Sequence, residues 1–226
     1  MAQPGGDLVV VGAGGFGRET VDAVRAMNAC GASWRLLGYI DENPSLAGMQ
    51  IDGVPVLGGI RELSGLPDAF VVVSTGRPDN YVSRPRIVAE LGLPVERYAT
   101  IVHPSAAVSA SSRIGVGSVL LACVVLTSTV TVGSHVVVMP HVTLTHDDTI
   151  DDFATLASGV CLGGQVRIGR AAYLGAGALI REGRSVGSCA LVGMGAVVTT
   201  DVPPREVWAG VPARRLRAAD IPELAP

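Results

Sequence analysis

The chain has 226 residues, enough for one large or two modest domains, and is 48% hydrophobic, 4% aromatic and 16% charged with a formal net charge of −3. That balance offers no general attraction to nucleic acid, and no apolar run approaches the ~18 residues of a membrane span. The start lacks a charged n-region and an apolar h-region, so the expectation is a cytoplasmic protein with neither nucleic-acid nor membrane partners.

The first element is Leu8-Val9-Val10-Val11, an apolar run suited to a buried parallel strand. Gly12-Ala13-Gly14-Gly15-Phe16-Gly17 follows, then residues 19–29 with Val21, Val24 and Met27 at helical spacing. Strand, glycine turn and helix together make a phosphate-facing geometry, because a helix N-terminus presents free N–H groups. A second strand at 34–40 ends in Asp41, which reads either as a nucleotide contact or as a turn residue. Residues 54–58 read as an edge strand because Pro55 removes a ladder donor. Residues 69–74 read as a further buried strand, and 86–91 as a helix capped by Ser83 or Pro85 and closed by Gly92. The sum is a small open α/β sheet. The unit is about half a dinucleotide fold, so it suits one nucleotide better than NAD, with a tight structural turn as the bland alternative. Residues 94–100 form the linker, without a long Gly/Ser run, so the two domains are expected to dock.

From Val102 onward the chain reads in sixes without a gap. Val102, Val108, Ile114, Leu120, Leu126, Val132, Val138, Leu144, Ile150, Leu156, Leu162, Ile168, Leu174, Ile180, Val186, Val192 and Val198 open successive hexads. A period of six matches neither helix nor ordinary strand; it marks a hexapeptide β-helix, three hexads to a coil, with residues 18 apart stacked. The fifth position is small or β-branched and points inward; Asp148 and Arg184 break that rule.

One hexad, Leu144-Thr145-His146-Asp147-Asp148-Thr149, concentrates polar groups in a single turn. His146 can act as a general base near neutral pH, and Asp147 can orient its ring. Gly164 lies 18 residues on, one coil away at the same corner, where a bare N–H can receive an oxyanion. A solvated turn is the bland reading of that histidine. His135, His141 and His146 raise a zinc-hydratase reading, but His135 and His141 share a hexad position on adjacent faces and do not stack; they read as turn or interface residues, with no metal. The four isolated cysteines read as reduced thiols.

The run Val10-Val11-Gly12-Ala13-Gly14-Gly15-Phe16-Gly17-Arg18-Glu19, the hexad solenoid, the His146-Asp147 turn and the ending Gly210-Val211-Pro212-Ala213-Arg214 carry a resemblance. Over about residues 7–217 the chain resembles the bacterial sugar O-acyltransferase family of sialic-acid O-acetyltransferases and nucleotide-amino-sugar N-acetyltransferases (NeuD/PglD-like). The resemblance implies a mainly β fold: a left-handed parallel β-helix at 98–203, preceded by a Rossmann-like α/β domain at 1–97 that binds the nucleotide or acceptor. A tail at 204–226 would cover the CoA site. It implies a homotrimer with acetyl-CoA between neighbouring prisms and a sugar or sugar-nucleotide acceptor. His146 takes the place of the general base and Asp147 of its acidic partner. Gly164 matches the glycine that meets the thioester carbonyl. Gly175, Gly177, Gly193 and Gly195 match the cofactor arm, Pro212 and Arg214 its adenine end, and Gly12, Gly14 and Asp41 the nucleotide end of the acceptor. Phe16, Met139, Asp148 and Asp151 depart from the family's pattern, which leaves the acceptor open. Beside acetyl transfer to a sugar amine or hydroxyl stand a natural-product acceptor, a γ-class carbonic-anhydrase-like hydratase and a non-catalytic nucleotide-binding module.

Overall fold

The computed structural model describes residues 5–222, so the start of the chain, read above for a leader, and the end of the 204–226 tail lie partly outside the described residues. The N-terminal sheet contains β1 (Gly6–Val11), β2 (Trp34–Ile40), β3 (Gln50–Ile51), β4 (Val54–Gly58) and β5 (Phe70–Val73), in the order β3-β4-β2-β1-β5. Its pairings are parallel except β3 with β4. The apolar runs at 8–11 and 70–73 are buried because both faces of the sheet are covered, although the second is the last strand in the order. On one side α1 (Gly15–Ala29) places Val21, Val24 and Met27 against Leu8 and Val10. On the other, α2 (Ser83–Leu91) brings Ile87, Val88 and Leu91 to Val9, Val11 and Val71.

Two helix starts and the place of one strand differ from the expectation. The first helix starts at Gly15 rather than residue 19, because its first turn is polar and glycine-rich and carries no apolar period. The second starts at Ser83, which is the first helical residue rather than its cap; Val82 precedes it without a side-chain bond, while Gly92 closes the helix at φ 55°. The strand at 54–58 is not an edge: the two-residue β3 lies outside it, with Gln50 opposite Pro55.

The hexads form seventeen two-residue strands, from Ile101–Val102 to Val197–Val198. Each ends on the aliphatic residue that opens its hexad. Partners are 18 apart throughout, as in Val125 with Thr143 or Thr131 with Thr149. The result is a left-handed β-helix with three parallel sheets. The inward aliphatics and the fifth-position residues merge into one continuous cluster from Leu120 to Val202, which no single coil could bury alone. Coils stack so closely that a Cβ at Gly169 or Gly175 would lie 2.5 Å from the amide nitrogen of Ser188 or Met194. The second-position glycines are a packing requirement before they are anything else.

The three faces differ on their outer sides. One presents Arg113, Thr131, Thr149, Arg167 and Ser185 and is polar. A second buries Ile101, Val119, Val137, Thr155 and Tyr173; Ile101 and Val119 pack against the α1 side of the α/β unit, while Thr155 and Tyr173 meet α2 and the loop before it. The third carries Ala107, Val125, Thr143, Cys161, Leu179 and Val197, a row apolar but for Thr143 and left exposed or half-buried. After the last coil the chain does not trail away. Glu206–Gly210 adds to the buried face beside Leu191–Val192, and Ala213–Ala218 folds back antiparallel on it. Trp208 and Ala213 close that end of the core. At the other end a cleft of about 670 Å³ exposes part of Val102, Ala106, Val108 and Ile114.

The two units dock on a column of fourth-position residues at one corner of the prism: Gly117, His135, Phe153, Ala171 and Cys189, all with φ between 55° and 73°. His135 lies flat on Phe153, their ring centroids 5.1 Å apart, with the Tyr98 ring edge-on at 4.6 Å. Arg84 of α2 is almost completely buried here. Its guanidinium donates to the carbonyls of Thr75, His135, Phe153 and Ala154 and to Thr155 Oγ1. Higher up the column, Tyr81 donates its hydroxyl to the Cys189 carbonyl at 2.9 Å.

Candidate functional site

His146 sits at the corner between the exposed apolar face and the polar face. Its Nδ1 is 2.9 Å from Asp147 Oδ2. A carboxylate only accepts, so Nδ1 carries the proton and Nε2 is left with a free lone pair. Asp147 holds φ 63°, a left-handed conformation that Asp tolerates, and its amide donates to the Ser128 carbonyl on the preceding coil. Both side chains are more than half exposed.

Gly164 stacks on this histidine as the period of 18 requires. A Cβ there would run into His146 Nε2 and Cε1, so only glycine leaves the ring its place. The Gln165 amide donates to the His146 carbonyl at 2.9 Å, tying the two turns together. The Gly164 N–H has no hydrogen-bond partner among the described residues. A base nitrogen and an uncommitted amide donor therefore share one corner.

Asp148 points inward, as its hexad position requires, and is fully buried without being idle. Its Oδ2 accepts from the Thr145 amide at 2.8 Å and its Oδ1 from the Val166 amide at 2.9 Å. Burial pushes its carboxyl up to about 6, against the opposing pull of those two amides.

The remaining cofactor-arm candidates lie elsewhere on the prism. Gly177 and Gly195, at φ 68° and 65°, continue the column of Cys123, His141 and Gly159. That corner is separated from His146 by the exposed apolar face. Gly175 and Gly193 precede them in the same turns and are confined by the next coil and by Ala209. Pro212 follows a cis peptide bond at the tip of the closing hairpin. Arg214 is exposed, its guanidinium on the Ala213 carbonyl.

In the α/β unit, Gly12 has φ 103° and a Cβ would meet the Ser74 carbonyl at 2.7 Å, so its identity is set by the fold. Gly14 faces open space at the start of α1. Asp41 clamps the loops: Oδ2 accepts from the Ala13 amide and Oδ1 from the Asn43 amide, both at 2.9 Å. A cleft of about 210 Å³ opens beside them, lined by Gly12, Asp41, Glu42, Thr75, Arg86 and Glu90. Arg86 and Thr75 were not singled out from the sequence; the signal was their place after β5 and on α2, at the carboxyl ends of parallel strands. This unit packs on the His135 corner, so the prism does not bring Gly12, Gly14 and Asp41 to His146 within one chain.

The sequence profile of the PglD N-terminal domain matches residues 7–91. No curated protein sequence matches the chain. Among solved structures, the acetyltransferase domain of PglB from Neisseria gonorrhoeae, in complex with acetyl coenzyme A, is 30% identical, covers 94% of this chain and all of its own, and superposes with a TM-score of 0.81. A perosamine N-acetyltransferase from Caulobacter crescentus, solved as a histidine-to-asparagine mutant with CoA and GDP-perosamine, is 28% identical over 93% of this chain and 97% of its own, TM-score 0.81. WeeI from Acinetobacter baumannii is 30% identical over 92% and 99%, TM-score 0.80. The chain belongs to this PglD-like acetyltransferase family.

Within a PglD-like acetyltransferase the departures noted in the sequence acquire places. Phe16 packs half-buried into the apolar cluster under α1 rather than presenting a polar group. Met139 joins the same cluster from the prism side. The three histidines do not converge. His135 is buried between rings, its pKa pushed down to about 4 by burial and by the Arg84 guanidinium, while His141 and His146 occupy different corners. No group of three His, Cys, Asp or Glu among the described residues is arranged to hold a metal ion. His135 is a turn residue, as one of its two readings had it, and its ring packs against the α/β unit of the same chain rather than standing free for a partner subunit.

Proposed function

We propose that this chain moves the acetyl group of acetyl-CoA to an amine or hydroxyl of a nucleotide-linked sugar by direct attack. His146 Nε2 takes the proton of the attacking group. The Gly164 N–H receives the negative charge that develops on the thioester oxygen. The proton then leaves with the thiol as the C–S bond breaks, and Asp147 steadies the imidazolium in between. No covalent enzyme intermediate is required. The observation that carries this reading is the pairing of a free Nε2, oriented by Asp147 at 2.9 Å, with an unpartnered amide stacked one coil away. The perosamine enzyme, caught with CoA and GDP-perosamine in a histidine variant, makes GDP-linked amino sugars the first acceptors to try.

The experiment is thiol release from acetyl-CoA against a panel of UDP- and GDP-linked amino sugars. His146→Ala is expected to stay folded and lose roughly 10²-fold or more in kcat. Near-normal turnover in that variant removes the histidine from the mechanism, and silence across the panel removes the sugar-nucleotide acceptor.

The proposal extends to a homotrimer in the cytoplasm. The apolar row Ala107, Val125, Cys161, Leu179 and Val197 lies between the corner of His146 and the corner of Gly177 and Gly195. Packing that row against a second copy would set one chain's base opposite the other's glycine turns, and the hairpin residues Pro212 and Arg214 near the far end of the arm. It would also let the Gly12, Gly14 and Asp41 cleft of one chain serve the base of another. Four free cysteines suit a reducing compartment. Sedimentation at a mass of three 23.1 kDa chains is the expected result, and a monomer would refute the shared site.

A further inference from the structure

The residue at the fifth hexad position normally closes its own turn through its amide. Ala154 N donates to Asp151 O, Val160 N to Ala157 O, Ala172 N to Gly169 O and Ala178 N to Gly175 O. The turn that carries Gly164 is different. Its fifth-position amide, Val166 N, donates to Asp148 Oδ1 one coil below. The other oxygen of the same carboxylate takes the Thr145 amide, at the opposite end of the His146 turn. Two serines at equivalent positions do half of this: Ser112 Oγ accepts from Val130 N at 3.1 Å and Ser118 Oγ from Val136 N at 3.0 Å. Both use their remaining capacity on a carbonyl, of Thr127 and Gly133. Among the described residues Asp148 is the side chain that holds an amide on both turns of the proposed catalytic corner.

We propose that Asp148 is a positioning residue for acetyl transfer, bracing the Thr145–Asp148 turn against the Gly163–Val166 turn so that His146 Nε2 and the Gly164 N–H keep their spacing. The inference rests on His146 as base and Gly164 as oxyanion donor. Those two groups must address one carbonyl together, and a misplacement of about 1 Å can cost roughly 10²-fold in rate. A buried carboxylate is an expensive brace, and Val or Ser serves the fold at neighbouring positions. Its retention at this one corner is accounted for by placement rather than by packing.

Asp148→Ser is the informative variant, because a serine here can keep the Val166 bond, as Ser112 and Ser118 do, and cannot also reach Thr145. In the full chain it is expected to keep its circular dichroism and its KM for acetyl-CoA within about twofold, while kcat falls ~10-fold or more. A crystal structure of the variant is expected to show the 145–148 turn displaced from the 163–166 turn, and this second measurement stands whether or not an acceptor has been found. Wild-type kcat in folded Asp148→Ser, or an undisplaced turn, overturns the proposal. His146→Ala assayed alongside separates the two ideas. If it is inactive while Asp148→Ser is normal, the brace is wrong and the base stands. If it is active, the acetyl-transfer reading of this corner fails first.

Discussion

Burial drives two titratable groups of the prism in opposite directions. His135 falls to about 4 between Tyr98 and Phe153, with the Arg84 guanidinium adding to the shift and Asp152 opposing it. Its unfolded value is near 6.5, so between those values the unfolded chain binds more protons. Its contribution to stability is present above pH 6.5 and lost as the pH falls through about 4. Asp148 rises to about 6 from 3.8, so its contribution is present below pH 3.8 and lost as the pH rises through about 6. Across most of the range between 4 and 6 the two oppose. His135→Phe removes one side: the stacked ring survives, and a nitrogen that finds no partner is deleted. That variant is expected to lose less in melting temperature between pH 7 and pH 4.5 than the parent, which should suffer by up to about 3 kcal/mol from His135 alone. Equal acid sensitivity in the two proteins would contradict the burial argument. Single residues also mark how far a sequence can be read. His146, Asp147 and Gly164 were legible because a period of 18 says what stacks on what. The task of Asp148 was not, since periodicity gives direction but not which backbone amides go unpaired.

At the scale of elements, the number and register of the seventeen strands were legible because an inward aliphatic recurs without a gap. The helices were legible in existence but not in extent, since glycine and polar first turns carry no periodicity. The docking of the two units was anticipated only in that the linker carries no long Gly/Ser run. Nothing in the local pattern marks Arg84 as buried; it reads as one more charge near a helix start. Burial pushes its guanidinium down to about 10, and among the described residues no carboxylate pairs with it, only carbonyls and a hydroxyl. Arg84→Met leaves the carbonyls of Thr75, His135 and Phe153 without their donor, while that of Ala154 keeps the Val137 amide, and the expected cost is ~3 kcal/mol or more, falling on the junction. Thermal melting should then split into two transitions, and limited proteolysis should open the chain near residues 94–100. A single transition at the parental temperature would show that the apolar contacts of α1 suffice.

At the scale of the whole molecule, a solenoid usually hides its apolar residues inside the prism. The exposed row on one outer face therefore needs a cover, and Leu179, 45% exposed, is its largest member. Leu179→Arg is expected to leave the fold intact, since the side chain points away from the core, and to give a monomer in sedimentation. The proposed shared site predicts that acetyl transfer falls together with assembly. A monomer that retains full activity would place the whole site within one chain. The quaternary arrangement was the least legible level, because the sixth hexad position can be apolar for a partner domain or for a partner chain. The structure shows that one such face is spent on the α/β unit and another is not.

The docking column has a further consequence, for how such a protein can change length. Tandem repeats gain and lose units readily, and one coil here is 18 residues. Yet the column is gripped at several heights, by Arg84 near His135 and Phe153 and by Tyr81 near Cys189. A coil duplicated between His135 and Cys189 would lift Cys189 by one strand spacing, ~4.8 Å, and no longer meet Tyr81. The same duplication placed between Val198 and the closing hairpin would disturb none of these contacts. Matched insertions at the two sites should differ sharply in soluble yield and melting temperature. The α/β unit works as a gauge block, fixing the coil count within its reach and leaving it free beyond.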